Sequence, residues 1–405
     1  MFFLALVLSA CSHIEYHETK TVKVERFSDE QALNISEDSL LDVGVVLFSV
    51  QEVDLDSNET DYSSVRKSEA VWFTSQLKHA LETSNAWGQV RALPSKRLGV
   101  DVTVTGSLIE SNGEVVKLFI DVRDSRNQPW FSKEYFQRAS AYAYNPEVNV
   151  PGDPFQATLN EIANDLFNYR ATLKQAQLLE IRHLTKILFA QDFVPAAFSD
   201  YVKHHNNGTV SLTRIPANSD PMVQRVERIW ARNDMFLDVV QDYYRAFNQQ
   251  MHDPYQEWRK LSYKEVLYAR QLKEQARREK IAGVAAIAGG IAVATEGGSF
   301  ASRGAGHIGI FAGAKIFAGS FLKTEQALSH SSRLRELGLS LESELEPSIV
   351  ALQDRSVTLT GTVDDQYQEW RRILRDMFRL ETGDGSEPSP LKVSDTSVSK
   401  PDSAR

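Results

Sequence analysis

Apolar residues change their spacing several times along this chain, and each change predicts an element. From Leu41 to Phe48 they run almost unbroken, the pattern of a strand buried on both faces. Between Ser64 and Thr83, the residues Ala70, Phe73, Leu77, Ala80 and Leu81 recur at three and four, which predicts an amphipathic helix. Trp87 to Pro94 predicts a short strand closed by its proline. The spacing then drops to two. Val100, Val102 and Val104 alternate with polar residues, and beyond the hairpin pair Asn112-Gly113 so do Val116, Leu118, Ile120 and Val122. A turn at Asp124-Ser125-Arg126-Asn127 leads to a third strand, Trp130 to Phe136. Asp153-Pro154 predicts an N-cap with proline at the first helical position, followed at helical spacing by Leu159, Ile162, Leu166 and Phe167. The order over residues 41–175 is therefore strand, helix, strand, three-stranded meander, helix: a mixed sheet covered by helices.

Residues 176–280 return to helical periodicity, as in Leu178, Ile181, Leu184 and Leu188, with breaks at Gly208, Pro216, Pro221 and Pro254. Several bundled helices are predicted there, with Tyr243, Tyr244 and Phe247 in their core, ending in a charged helix over residues 270–280. Then Ile281 to Thr295 is nearly all small or β-branched, and a second such run, Ile308 to Leu322, follows the polar break 296–307. Each run is 15 residues, about 22 Å as a helix, short of the ~30 Å hydrocarbon core. Small residues four apart let two helices approach closely, and Gly283, Gly289, Gly309, Gly313 and Gly319 are the candidate packing positions. The pair resembles the glycine-zipper segments of small outer-membrane lipoproteins. It reads either as a hairpin serving membrane or subunit contact or as one packed in the protein's own core. Residues 323–382 predict a helix-strand-helix module, in which Val357 to Val363 alternates and Tyr367, Trp370, Ile373, Leu374, Met377 and Phe378 form a stripe. Its Leu359-Thr360-Gly361-Thr362-Val363 strand before a helix resembles half of a phospholipid-associating periplasmic module. Residues 383–405, rich in Gly, Ser, Pro and Asp, predict a disordered tail. The fold class is α+β: an N-terminal mixed sheet with helices, a mainly helical region with a Gly/Ala hairpin, and a small C-terminal strand-helix unit.

The first eleven residues set the expected location. Met1 to Ala10 is apolar and ends in small residues, and Cys11 is the only cysteine of the chain. Ten residues are too few to span a bilayer. Leu8-Ser9-Ala10-Cys11 resembles the lipobox of bacterial lipoproteins, which implies that residues 1–10 are a signal peptide and that Cys11 is lipidated. No Lys or Arg precedes Cys11, so the expected start lies upstream. Ser12 stands where an inner-membrane retention signal would place Asp, and the resemblance implies the periplasmic face of the outer membrane. Residues 11–40 become a tether. Diacylglycerol plus an acyl chain anchors firmly by itself.

Composition narrows the function. With Cys11 acylated, no disulfide is possible, so packing alone must stabilise the fold. The net charge of -9 argues against a nucleic-acid partner. No His-Glu-x-x-His, Gly-x-x-x-x-Gly-Lys or Gly-x-Ser-x-Gly sequence occurs, so neither a catalytic residue nor a cofactor is assigned. Of nine histidines only His204-His205 are adjacent, too few ligands for a zinc site, and no metal is expected. Asp364-Asp365 reads as an N-cap for the last helix. Tyr142 and Tyr144, before the Asp153 helix, are the candidate contact loop. The domain order over residues 41–175 resembles the N-terminal domain of Tol-translocation lipoproteins, shared by the curli-secretion lipoprotein and by activators of peptidoglycan synthases. It rests on Val43 to Phe48, Trp87 to Pro94 and Asp101-Val102-Thr103-Val104-Thr105-Gly106. The resemblance implies an interaction domain, in an envelope scaffold or accessory protein that works through a protein partner, self-association or the membrane. An envelope hydrolase without a visible motif and a secretion-channel subunit are the competing readings.

Overall fold

The computed structural model describes residues 35–50, 60–95, 99–140, 142–145, 147, 152–217, 219–290, 332–333, 336, 348–352, 355–359 and 362–382. Strand β1 (Val43–Val46) lies at the centre of a mixed sheet, parallel to β3 (Val90–Leu93) on one side and to β4 (Val102–Ser111) on the other. All four of its residues are buried, as an unbroken apolar run requires. The meander β4, β5 (Val115–Asp124) and β6 (Pro129–Arg138) continues antiparallel, giving the order β3-β1-β4-β5-β6, with the short β2 (Ser49–Val50) also pairing with β4. Helices α1 (Thr60–Glu82) and α2 (Gln156–Thr172) pack together on the face where Val102, Val104, Leu118, Ile120 and Val122 are fully buried. Tyr135, opposite Leu118 on that face, donates to Asp165 of α2 at 2.7 Å.

The N-terminus of α2 departs from the sequence expectation. The helix starts at Gln156, not at Pro154, and Asp153 accepts the Phe155 N–H at 2.9 Å while its carboxylate turns to Arg259. A buried guanidinium competes for the carboxylate, so the chain turns before the helix begins.

The helical middle also differs. After α3 (Gln175–Phe193) come one turn at Pro195–Phe198 and a small hairpin, β7 (Val202–His204) with β8 (Val210–Leu212). The pair His204-His205 sits in this hairpin, where His205 Nε2 meets Ser211 Oγ at 2.8 Å. Then a single helix, α4 (Pro221–Gly290), replaces the expected bundle and runs through Pro254. A proline there removes one backbone bond. Phe247, Met251, Tyr255 and Trp258, at most 4 % exposed, continue one stripe across Pro254 and pack on the domain, so tertiary burial holds the helix together.

Helix α4 is tied to the sheet domain between Asp234 and Ser262. Asp234 and Asp238 accept from Arg91 of β3 at 3.0 and 3.1 Å, Asn248 Nδ2 donates to Ser75 of α1, and Ser262 Oγ donates to the Asn112 carbonyl at 3.0 Å. A hairpin of β9 (Ser348–Leu352) and β10 (Arg355–Leu359) precedes α5 (Val363–Thr382). In α5, Tyr367, Trp370, Ile373, Leu374 and Phe378 are buried, and the Trp370 ring stacks on Phe236 of α4 at 5.7 Å. Its N-cap is Thr362 rather than the Asp364-Asp365 pair: Thr362 Oγ1 accepts the Asp365 N–H at 3.2 Å, and Asp365 Oδ2 accepts the Thr362 N–H at 3.1 Å, a capping box. The molecule is thus an α+β structure, a mixed sheet with helices followed by a helical region.

Candidate functional site

The face of the meander opposite α1 and α2 is the candidate site. Period two forces Thr103, Thr105 and Ser107 of β4 onto it, where they stand beside Arg123, Asp121 and Phe119 of β5. Across the next ladder, Asp121 faces Ser132, Phe119 faces Glu134, and Lys117 faces Phe136 of β6. Such a face is expected to be polar. Phe119 and Phe136 instead stand on it 37 % and 57 % exposed, diagonal to one another in the ladder and within reach of a common ligand. Around them Lys117 Nζ meets Glu134 at 2.9 Å, and Asp121 accepts from Arg123 Nε at 3.0 Å and from Ser132 Oγ at 2.5 Å.

Toward the start of β4, the same face becomes the floor of a cleft of about 550 Å³. Helix α3 supplies one wall with Thr185, Phe189 and Asp192, and α5 the other with Tyr367, Arg371 and Arg375. The Arg371 guanidinium donates to Asp192 and, at 3.2 Å, to the Tyr367 hydroxyl, and it lies 5.0 Å from the ring centre of Phe193 and 5.3 Å from that of Phe189. Burial pushes the Tyr367 hydroxyl up to about 12, and the neighbouring Arg371 charge pulls against that rise. Tyr367 therefore stays neutral and accepts from Arg371. Behind the cleft, Thr185 Oγ1 donates at 2.6 Å to Asp101, whose other oxygen accepts the Asp42 N–H at 2.9 Å. Burial raises Asp101 from 3.8 to about 6 in spite of both bonds.

Three arginines and three carboxylates thus frame a polar cleft continuous with an aromatic patch. The arrangement suits recognition, because each cation near it already has an anion or an aromatic face to hold it in place. Among the described residues, no group of three or more His, Cys, Asp or Glu could hold a metal ion, and no helix is long and apolar enough to cross a membrane.

The residues singled out from sequence fall elsewhere. Tyr142 is 45 % exposed, as a contact loop requires. Tyr144 is partly buried: its hydroxyl donates to the Gly113 carbonyl at 2.8 Å and its ring meets Tyr263 of α4 at 5.0 Å, because the loop folds back under the β4–β5 turn. Gly283 and Gly289 fall in the last turns of α4. Cys11, Gly309, Gly313 and Gly319 lie outside the described residues. Phe119 was open to detection, being an aromatic residue at an outward position between Leu118 and Ile120. The α5 wall was not, since nothing local in its stripe says which sheet it faces.

No protein-family model matches the sequence, and no curated protein does. Two solved structures of a PelC dodecamer from Paraburkholderia phytofirmans match about a third of it. One, of a point variant, is 14 % identical over 32 % of this chain and 87 % of that one, with a TM-score of 0.21. The other is 15 % identical over 33 % and 91 %, with a TM-score of 0.22. Likeness at this level assigns neither family nor function.

Proposed function

We propose that this protein is a lipid-anchored scaffold or accessory protein of the bacterial cell envelope, held at the periplasmic face of the outer membrane through Cys11 and binding a protein on the open face of its sheet. The observation that carries the binding role is the exposure of Phe119 and Phe136 on one sheet face beside an arginine-framed cleft. Aromatic residues ringed by polar and charged ones are the usual anchors of protein contacts, since they bury much area at little conformational cost. The anchor rests on the Leu8-Ser9-Ala10-Cys11 pattern. The Gly/Ala segments then serve assembly, insertion or packing rather than attachment, which the acyl chains provide.

A photo-crosslinking amino acid placed at 119 or 136 in cells should give one discrete adduct, whose mass separates a second copy of this chain from a different protein. Cys11→Ser should release the protein from the membrane fraction. Failure of both positions to crosslink in a membrane-retained protein would remove the binding role, and an unmodified Met1 in the mature protein would remove the anchor. Gly309→Leu with Gly313→Leu should change the elution volume if the Gly/Ala segment mediates assembly.

A further inference from the structure

The two edges of the sheet differ. At β3, Gln241 of α4 bonds the backbone of Ala92. At the opposite edge, no strand among the described residues pairs with the far side of β6, which is ten residues long. Its residues Ser132, Lys133, Glu134, Phe136 and Arg138 are exposed. One bond tells which way its peptide groups point. The Ala139 N–H donates to the Glu114 carbonyl at 2.7 Å, in register with the ladder pair of Val115 and Arg138. Hydrogen-bonded and non-bonded pairs alternate in an antiparallel ladder. Phe131, Lys133, Tyr135 and Gln137 therefore turn their backbone groups to β5, and Ser132, Glu134, Phe136 and Arg138 turn theirs outward, past the edge.

An edge of that length invites another strand, and proteins that avoid this set charges across it, Lys above all. Lys133 does not guard this one. It turns to the helix face, where Glu161 and Asp165 of α2 hold its Nζ at 2.9 and 2.8 Å. Glu134 and Arg138 share the open face with Phe136, carry opposite signs and lie two positions to either side of it. A second copy related by a two-fold axis normal to the sheet keeps its open face on the same side. With that axis at Phe136, Glu134 of each copy stands opposite Arg138 of the other, and the two Phe136 rings are neighbours. An axis at Glu134 would set that carboxylate against itself, and one at Tyr135 would give neither charge an opposite partner.

We propose that β6 pairs antiparallel with β6 of a second copy, in the register centred on Phe136, so that one sheet runs through two molecules. A second copy is then the protein bound at the open face, which rests on the binding role given above to Phe119 and Phe136. Outward peptide groups of Glu134, Phe136 and Arg138 supply the hydrogen bonds, and the two Glu134 to Arg138 pairs fix the register. Glu134 already meets Lys117 at 2.9 Å and Arg138 Nε lies 3.6 Å from Glu114. A carboxylate and a guanidinium can each take a further partner at their other atoms. So short a contact is weak, with a dissociation constant on the order of 10 μM.

The test uses the full chain with Cys11→Ser, so that an introduced thiol is the only one. In the proposed register the two Phe136 Cα atoms lie about 5.5 Å apart, within the ~4.4–6.8 Å that a disulfide spans. After mild oxidation Phe136→Cys should form a covalent dimer, whereas Glu134→Cys alone, about 14 Å from its own copy, should not. Mixing Glu134→Cys with Arg138→Cys should restore the crosslink. In sedimentation over a concentration series, Glu134→Arg or Arg138→Glu should each weaken self-association at least about tenfold, since like charges then meet twice. The two together reverse both signs and should recover it. Equal crosslinking at 134 and 136, a double variant as weak as the single ones, or a monomer at ~1 mM would overturn the pairing. A monomer that still crosslinks from position 119 to a different protein would reject the second copy and leave the open face as a binding surface. Loss of both would reject both.

Discussion

The side-chain amide of Gln241 bonds both backbone groups of Ala92: its oxygen accepts the Ala92 N–H at 2.8 Å and its nitrogen donates to the Ala92 carbonyl at 2.9 Å. Ala92 belongs to the edge strand β3, whose unpaired backbone would otherwise invite another strand. A carboxamide has the donor and acceptor of a peptide group, so α4 closes the sheet with one residue where a whole strand would usually serve. Ala92 is fully buried, so its N–H and carbonyl lose their side-chain partner when the amide is removed. Gln241→Ala should therefore lose ~1–3 kcal/mol in urea unfolding. A loss under ~0.5 kcal/mol, the range of an ordinary surface change, would show that the edge needs no cap.

A pH dependence follows from Glu69. It is fully buried between α1, β4 and α4, where one carboxyl oxygen accepts from Ser111 Oγ at 2.6 Å and from the Tyr255 hydroxyl at 3.0 Å while the other has no partner. Burial raises it from 4.5 to about 7, against the pull of those bonds and of Arg66 and Arg259. The folded state therefore keeps a proton that the unfolded chain has lost. The stability this contributes is complete below pH 4.5 and declines as pH rises to about 7. Asp101, raised from 3.8 to about 6, adds to the lower part of the same decline. Urea midpoints should fall over this window, each group contributing at most ~1.4 kcal/mol per pH unit. Glu69→Gln, which keeps the shape and removes the titration, should flatten the upper part of the curve. An unchanged slope would place the titration elsewhere.

The strands were legible because their signal is local. Val102 to Leu108 and Val116 to Val122 alternate by geometry, and a turn forms at the expected place, although Asn112 pairs with Val115 and only Gly113, at φ +78°, takes the positive φ expected of both Asn112 and Gly113. What holds α4 in place was not legible, since Tyr255 meets Glu69 across 186 residues and Arg259 meets Asp153 across 106. Spacing along a chain cannot show which distant carboxylate a helix residue will find. The same holds for the cleft, where Asp192 and Arg371 are 179 residues apart. Pro254 misled in the opposite direction, because its local penalty is real and only the buried stripe through Met251 and Tyr255 overrides it.

Arg259 gives a sharper energetic test. It is fully buried and grips Asp153 with two bonds, at 3.0 and 2.6 Å, and a third contact at 2.7 Å runs to Gln256. Burial by itself would raise Asp153, but the guanidinium beside it holds the carboxyl below its usual range. Arg259→Met leaves that carboxylate buried without its charge partner and should cost ~3–5 kcal/mol. The double change Arg259→Met with Asp153→Leu removes both charges and should recover a large part of the loss. Equal instability of the single and double variants in thermal unfolding would mean that packing around the guanidinium, rather than charge pairing, sets the cost.

The β4–β5 turn and α4 press on each other at Gly113. A Cβ there would lie 2.4 Å from the Arg259 carbonyl oxygen and 2.9 Å from the Tyr263 nitrogen, and both are helix backbone, which cannot step aside as a side chain can. Gly208, in the β7–β8 turn, has nearly the same backbone angle, φ +81°, but its nearest neighbour is a side-chain atom 3.8 Å away. The two positions separate conformational cost from contact. Gly208→Ala should cost ~1–2 kcal/mol from the left-handed backbone alone. Gly113→Ala should cost at least ~1 kcal/mol more, the usual penalty of overpacking. Because that excess comes from displacing α4, it should also loosen the Ser262 to Asn112 bond, visible as faster amide exchange along α4 near Arg259. Equal losses at the two glycines, with exchange along α4 unchanged, would show that the helix yields freely and that the turn does not position it.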